Sequence, residues 1–245
     1  MSGAVDLHCH ILPALDDGAL DIDDAVGMAR QALQDGIAVV CATPHVRHDH
    51  DVRAHDVAGH VTALSSALRE REVEVEIVPG GEVAETALDG LDDDELRAVS
   101  LGGAGGWVLL EPRPGPLGDE LGTAVQRLAV RGYGTVVAHP ERHAAADAAE
   151  RLAGVVARGA LVQATAADVA QGPAAPFLLE LAGRGLIHLL GSDAHSSRAG
   201  RPVALRAGLE RLATVGRVAP YVDWVARDGP AAILRGERVS APFVA

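Results

Sequence analysis

Short apolar runs rich in valine, leucine and isoleucine recur along the chain and alternate with longer stretches of helical period. The runs predict strands at Ala4–Leu7, Ala38–Ala42, Val73–Val78, Trp107–Leu110, Thr135–Ala138, Leu161–Gln163 and Leu186–Leu190. Between them the spacing predicts helices over Ile22–Gln34, about Val52–Arg71, Leu121–Arg131, Ala145–Arg158, Pro176–Arg184 and Val203–Thr214. Strands that are mostly apolar, alternating with helices, predict an α/β fold with a parallel sheet covered by helices. Seven such strands suit a distorted barrel better than an open sheet. The open, doubly wound alternative lacks a GxGxxG run after its first strand. Glycines at 36, 132, 134, 159 and 185 read as helix C-caps. The glycine- and proline-rich stretches LGGAGG (Leu101–Gly106) and EPRPGPLG (Glu111–Gly118) read as short loops, not linkers, so residues 1–245 are expected to form a single domain.

Composition narrows the chemistry. The 21 basic residues are all arginine, and the chain has neither lysine nor asparagine, as a GC-rich genome would give. Schiff-base, Walker-loop and carboxylated-lysine chemistry are thereby excluded. A formal net charge of -13 without a basic stripe disfavours nucleic acid as a partner. The N-terminal stretch shows no basic segment followed by an apolar run, and no apolar run approaches the ~20 residues of a membrane span. Two cysteines make no disulfide framework. The expectation is a cytoplasmic protein without membrane insertion.

Coordinating residues fall at the predicted strand ends. His8 and His10 follow the first strand, His45 the second, Glu82 the third; Glu111 and His139 end the fourth and fifth. The sixth ends near Gln163, and Asp193 and His195 follow the seventh. In a parallel barrel these ends share one face, where active sites sit. His8 and His10, two apart on an extended chain, point the same way, while Cys9 points away. Asp16 and Asp17 lie in the next loop and can reach back, and spacing alone does not choose between them. Of the other histidines, His48, His50, His55 and His60 read as solvated and His188 as a residue inside the last strand. His143 reads as a further residue that could line the site.

Five histidines and four carboxylates exceed the needs of one ion and suit two or three. Mixed imidazole and carboxylate ligation fits Mn, Fe or Zn. Three divalent ions against four carboxylates leave two positive charges, matched to a phosphate monoester dianion. A metal-bridging hydroxide is the expected nucleophile.

DLHCHILPALDDG, ATPH, GGE, LLEP, AHPER and GSDAH occur here in the order seen in the PHP (polymerase and histidinol phosphatase) superfamily. The chain resembles more closely the CpsB-type bacterial protein-tyrosine phosphatases that regulate capsule and exopolysaccharide synthesis, from about Val5 to the GPAAILRG segment. That resemblance implies a distorted seven-stranded barrel with a trinuclear, usually manganese, centre. It implies a first ion on His8, His10, Glu82 and Asp193, a second on Glu82, His45, Glu111 and His139, and a third on Asp17 and His195. Arg142 of HPER and Arg201 of the AGRP segment resemble the family's phosphate-binding arginines. Asparagine often follows the glutamine of the sixth strand in that family; here the run is QAT, Gln163–Thr165.

The expected function is therefore metal-dependent hydrolysis of phosphotyrosine in a protein, with a bacterial tyrosine kinase as the implied partner. A small-molecule phosphatase of the histidinol-phosphate type is the alternative enzyme, and a non-catalytic metal-stabilised regulatory protein the alternative of another class. CATPHVR, Cys41–Arg47, matches the C-x5-R signature of cysteine-dependent tyrosine phosphatases. Pro44 has no N–H to offer a phosphate cradle, so Cys41 is expected to be a buried strand residue.

Overall fold

A computed structural model describes residues 3–243. Among these residues nine strands are all paired in parallel. They are β1 (Ala4–Cys9), β2 (Ile37–Ala42), β3 (His45–Val46), β4 (Glu76–Pro79), β5 (Glu82–Ala84), β6 (Trp107–Glu111), β7 (Gly134–Ala138), β8 (Leu161–Thr165) and β9 (Leu189–Gly191). One sheet has the order β1-β2-β4 and the other β3-β5-β6-β7-β8-β9.

The two sheets are halves of one wall. β2 matches the predicted strand Ala38–Ala42, and β3 continues its line beyond a break at Thr43–Pro44, since proline cannot donate to a ladder. β4 and β5 are broken likewise at Gly80–Gly81. A Cβ on Gly80 would stand 2.6 Å from Cys41 Sγ, so only glycine lets the chain cross there. Hydrogen bonds bridge the first break, from Thr43 N to Cys9 O at 2.9 Å and from Glu82 N to Pro44 O at 3.0 Å. At the other edge a parallel bridge pairs Cys9 with Ala194, and Asp193 N donates to His8 O at 2.8 Å. Seven strand positions thus run round from β1 to the segment after β9 and meet β1 again: the distorted, seven-stranded α/β barrel expected.

Helices cover the outside. They are α1 (Ile22–Asp35), α2 (Val57–Glu70), α3 (Asp93–Ala98), α4 (Asp119–Val130), α5 (Ala148–Val156), α6 (Ala166–Gln171), α7 (Ala175–Gly183), α8 (Arg206–Leu212) and α9 (Gly229–Leu234). α1 shows why these stretches are helical. Asp21 caps it, its carboxylate accepting from Asp24 N at 2.8 Å, and Gly36 ends it with φ of 87°. Ala25, Met28, Ala29 and Ala32 form its buried stripe against the sheet. The strands are apolar on both faces: Val39, Val40, Val108, Leu109, Val136 and Val162 are essentially inaccessible.

Several boundaries differ from the sequence expectation. The third strand begins at Glu76, where pairing with Val39 begins, although Val73 and Val75 are already buried. The long helix predicted from Val52 starts only at Val57, after a 3-10 turn at Ala54–Asp56. The last strand starts at Leu189, so His188 lies just before it. There the His188 ring Nδ1 accepts the Val162 N–H at 2.9 Å, a bond that a ladder carbonyl would otherwise take. Gly134 opens β7 instead of capping a helix; Gly132, with φ of 89°, follows α4 as expected.

Candidate metal centre

Every strand position delivers a polar side chain to the C-terminal mouth. His8 lies in β1, His10 just beyond it, His45 in β3, Glu82 in β5 and Glu111 at the end of β6. His139 follows β7, Gln163 lies in β8, and Asp193 and His195 follow β9. His8, His10, His45, Glu82, His139 and Asp193 are all buried.

These side chains crowd one another as ligands of a shared cation would. Glu82 is central. Its Oε1 lies 2.7 Å from His139 Nε2 and 3.4 Å from His8 Nε2, and its Oε2 lies 2.8 Å from His45 Nδ1 and 3.5 Å from His10 Nε2. The 2.8 Å approach to His45 lacks hydrogen-bond alignment, and both atoms are left without a partner. Asp193 Oδ1 is also buried without a partner, 3.5 and 3.6 Å from the Nε2 atoms of His8 and His10. Buried polar atoms are normally satisfied, so this cluster of orphans has the character of a cation site. Three sets of donor atoms lie within 4.8 Å of one another: His8, His10 and Glu82; His45, Glu82 and Glu111; His10, Asp17, His45 and His195.

The far sides of three of the rings are pinned. His8 Nδ1–H donates to Gln163 Oε1 and His10 Nδ1–H to Asp16 Oδ2, both at 2.8 Å; His195 Nδ1–H donates to the Asp193 carbonyl at 3.0 Å. Each bond fixes a tautomer whose Nε2 lone pair faces the cluster. Gly191 permits the β8–β9 wall to close in behind His8, since a Cβ there would stand 2.7 Å from both His8 Cβ and Gln163 Nε2.

The aspartate pair divides its work. Asp16 is turned inward; besides His10 it accepts from Gly18 N at 3.0 Å and His45 N at 2.9 Å. Asp17 is 57% exposed and lies 3.4 Å from His45 Nε2 and 3.5 Å from His195 Nε2. Asp16 therefore orients the His10 ring and holds the backbone at His45, and Asp17 is the member with free oxygens at the mouth.

Electrostatics follow from this packing. Burial lowers the affinity of the His8 ring for a proton, but the charges of Glu82 and Asp193 override it and push the pKa up to about 10. Burial raises the Glu82 carboxyl, yet His8 and His139 hold it well below the usual range. Burial and the His10 ring, stacked 4.0 Å away, push His195 down to about 4. A cation held by the cluster would take the place of the proton on His8 as the partner of these carboxylates.

Two arginines close the rim. Arg142 Nη2 and Arg201 Nη2 donate to the same oxygen, Asp193 Oδ2, at 2.7 and 2.6 Å. His139 and Asp193 both adopt left-handed backbone, with φ of 32° and 48°, which costs a non-glycine residue about 1–3 kcal/mol. Glu141 anchors the turn bearing Arg142, accepting from Thr165 N at 3.0 Å.

The model of the CpsB/CapC family, described as capsular polysaccharide synthesis, matches residues 4–235. The chain belongs to this family. It is 32% identical over 199 residues to the tyrosine-protein phosphatase YwqE of Bacillus subtilis, covering 78% of this chain and 77% of YwqE. It is 22% identical over 205 residues to the tyrosine-protein phosphatase CpsB of Streptococcus agalactiae, covering 78% and 83%. Its fold superposes with a TM-score of 0.82 and 27% identity on a chain from the crystal structures of YwqE and Streptococcus pneumoniae CpsB, described as metal-dependent tyrosine phosphatases; the match covers 96% of both chains.

The CpsB/CapC resemblance read from the motifs is thus borne out. Sequence reasoning left out the orienting residues. Gln163 drew notice only as a strand end, and Asp16 only as an alternative to Asp17. Asp24, wholly buried, ties α1 to the loop carrying His195 by accepting from Ser197 N at 2.8 Å and Ser196 Oγ at 2.9 Å; an acid in a helix's first turn gives no hint of that. His50, read as solvated, is half-buried with its ring centroid 5.1 Å from that of His45. His143 is buried and tied to the Gly115 carbonyl at 2.7 Å, beside His139.

Proposed function

We propose that this protein is a metal-dependent phosphatase acting on phosphotyrosine in proteins. The observation that carries the reading is the cluster of buried, unpartnered donor atoms around Glu82, rimmed by Arg142 and Arg201. The named activities of YwqE and CpsB support it.

The residues fit two or three divalent ions, with Mn2+ favoured and Fe or Zn as alternatives. His8, His10, Glu82 and Asp193 would hold the first. Glu82, His45, Glu111 and His139 would hold the second. Asp17 and His195 would hold the third, with His10 and His45 also in reach. Bound there, the ions would supply Lewis-acid activation of water and neutralise charge on the phosphoryl oxygens.

The chain's own residues do the rest. Gln163 and Asp16 keep the Nε2 lone pairs of His8 and His10 turned inward. Arg142 and Arg201 offer planar forks to the phosphoryl oxygens. A phenol with a pKa of about 10 leaves with little protonation, so the site needs no strong acid of its own. Family membership supports a role in capsule or exopolysaccharide synthesis, with a cytoplasmic tyrosine kinase as substrate. Among the described residues no helix is long and apolar enough to cross a membrane.

The test is a metal-reconstituted activity panel. Mn2+-loaded protein should turn over a phosphotyrosine peptide faster than histidinol phosphate, and a chelator should stop both reactions. Preference for histidinol phosphate would move the assignment to the small-molecule class. Inactivity on p-nitrophenyl phosphate with metal bound would leave a regulatory protein.

A further inference from the structure

Arg47 lies one residue beyond β3 and played no part in the site expected from the sequence. Asp49 grips one edge of its guanidinium: Nε donates to Oδ1 at 2.7 Å and Nη2 to Oδ2 at 2.8 Å. The remaining nitrogen, Nη1, faces the mouth, 3.5 Å from Glu111 Oε2. Arg142 Nη1 faces the other oxygen of Glu111, Oε1, at 3.8 Å. Around the rim the charges therefore alternate: Arg47, Glu111, Arg142, Asp193, Arg201.

An exposed pair such as Arg47–Asp49, 31% and 65% accessible, adds little stability. Its consequence is geometric. Asp49 and Glu111 are the carboxylates within ion-pair range of this guanidinium among the described residues. If Glu111 turns its lone pairs to a cation, Asp49 still holds Arg47 in place, and Nη1 is left aimed at the mouth without a partner. Arg142 and Arg201 approach from the Asp193 side; Arg47 serves the Glu111 side.

We propose that Arg47 is a third guanidinium contact to the phosphoryl group of the substrate, with Asp49 as its positioning residue. The inference rests on the phosphatase reading above. A charged hydrogen bond from a fixed fork suits a dianionic oxygen, and three such forks surround the phosphoryl group. The competing role for Arg47, neutralising Glu111 alone, would show in metal content and not in anion binding.

The experiment titrates inorganic phosphate calorimetrically into Mn2+-loaded wild type, Arg47→Ala, Arg47→Lys and Asp49→Ala. Metal per chain is measured on the same samples, and KM is measured for p-nitrophenyl phosphate and a phosphotyrosine peptide. Arg47→Ala should weaken phosphate binding about tenfold and raise KM for both substrates alike, with metal per chain unchanged. Asp49→Ala should show a smaller loss of the same sign, and Arg47→Lys should fall between wild type and Arg47→Ala. Unchanged phosphate affinity in Arg47→Ala would overturn the proposal, as would loss of metal. An effect confined to the peptide would also overturn it, placing Arg47 on a peptide carboxylate. A wild type that neither binds phosphate nor hydrolyses either ester removes the phosphatase reading, and Arg47's role with it. An active wild type matched by Arg47→Ala removes only the latter.

Discussion

His139 Nε2 stands 2.7 Å from Glu82 Oε1, with both side chains buried and 57 positions of chain between them. β6 lies between the strands that bring them, so the contact reaches over the end of β6. The other Glu82 oxygen faces His45 and His10. One carboxylate is thus within reach of both inner donor sets. Glu82→Ala should lose more than one metal per chain, measured by elemental analysis after reconstitution. A variant retaining the full metal content would remove Glu82 as the bridge.

Asp17 and Asp16 should separate cleanly. Asp17 is exposed and faces only the outer donor set, so Asp17→Ala should cut activity while about two metals stay bound. Asp16→Ala removes the acceptor of His10 Nδ1 and of the His45 backbone N–H, freeing the His10 ring and loosening the backbone that carries His45, and should weaken the inner sites as well. If Asp16→Ala keeps its metals and Asp17→Ala sheds most of them, these roles are reversed.

The strands and the clustering of donor residues at their ends were legible because each depends on a local signal. An apolar run with β-branched residues marks a wall strand, and a His or carboxylate at its end marks the mouth. The breaks at Pro44 and Gly80 were less so, because register with a neighbour decides where a strand divides. α3 was missed although Asp92 and Glu95 form a capping box around it. The D-x-x-E spacing was present, but six residues give too short a period to stand out. Arg47 and Gln163 were invisible for another reason. Their roles are contacts across the fold, 155 positions apart for Gln163 and His8, and no spacing carries that.

His188 predicts a pH dependence of stability unrelated to the metal site. Its ring is buried against Phe243, with centroids 5.9 Å apart, and accepts the Val162 N–H at Nδ1. Burial pushes its pKa from 6.5 down to about 4. The unfolded chain therefore binds the extra proton between these values. Stability should be fully present above about pH 6.5 and fall as the pH drops toward 4, by up to about 3 kcal/mol. Urea unfolding of the chelated protein at pH 5, 6 and 7 should show a shallower slope in His188→Gln. Equal slopes in the two proteins would place the acid sensitivity elsewhere.

Cys41 is the place where sequence and structure suggest opposite chemistries. CATPHVR has the spacing of a thiol phosphatase, whose cysteine must be ionised and exposed at a phosphate cradle. Here Cys41 lies inside β2, fully buried, with its Sγ–H directed to the Pro79 carbonyl at 3.3 Å. Burial pushes its pKa up to about 12, the wrong direction for a nucleophile. Pro44 breaks the strand where a cradle would need successive N–H groups. Two other residues of this stretch face the donor cluster instead: His45 packs on Glu82, and Arg47 reaches toward Glu111. Cys41→Ser keeps a donor for the Pro79 carbonyl, so its activity should stay within about threefold of wild type, because the residue touches no part of the donor cluster. Chelation should abolish the activity of both proteins, and Mn2+ should restore it. Loss of turnover in Cys41→Ser, with wild type indifferent to the chelator, would reverse the assignment and make the thiol the nucleophile.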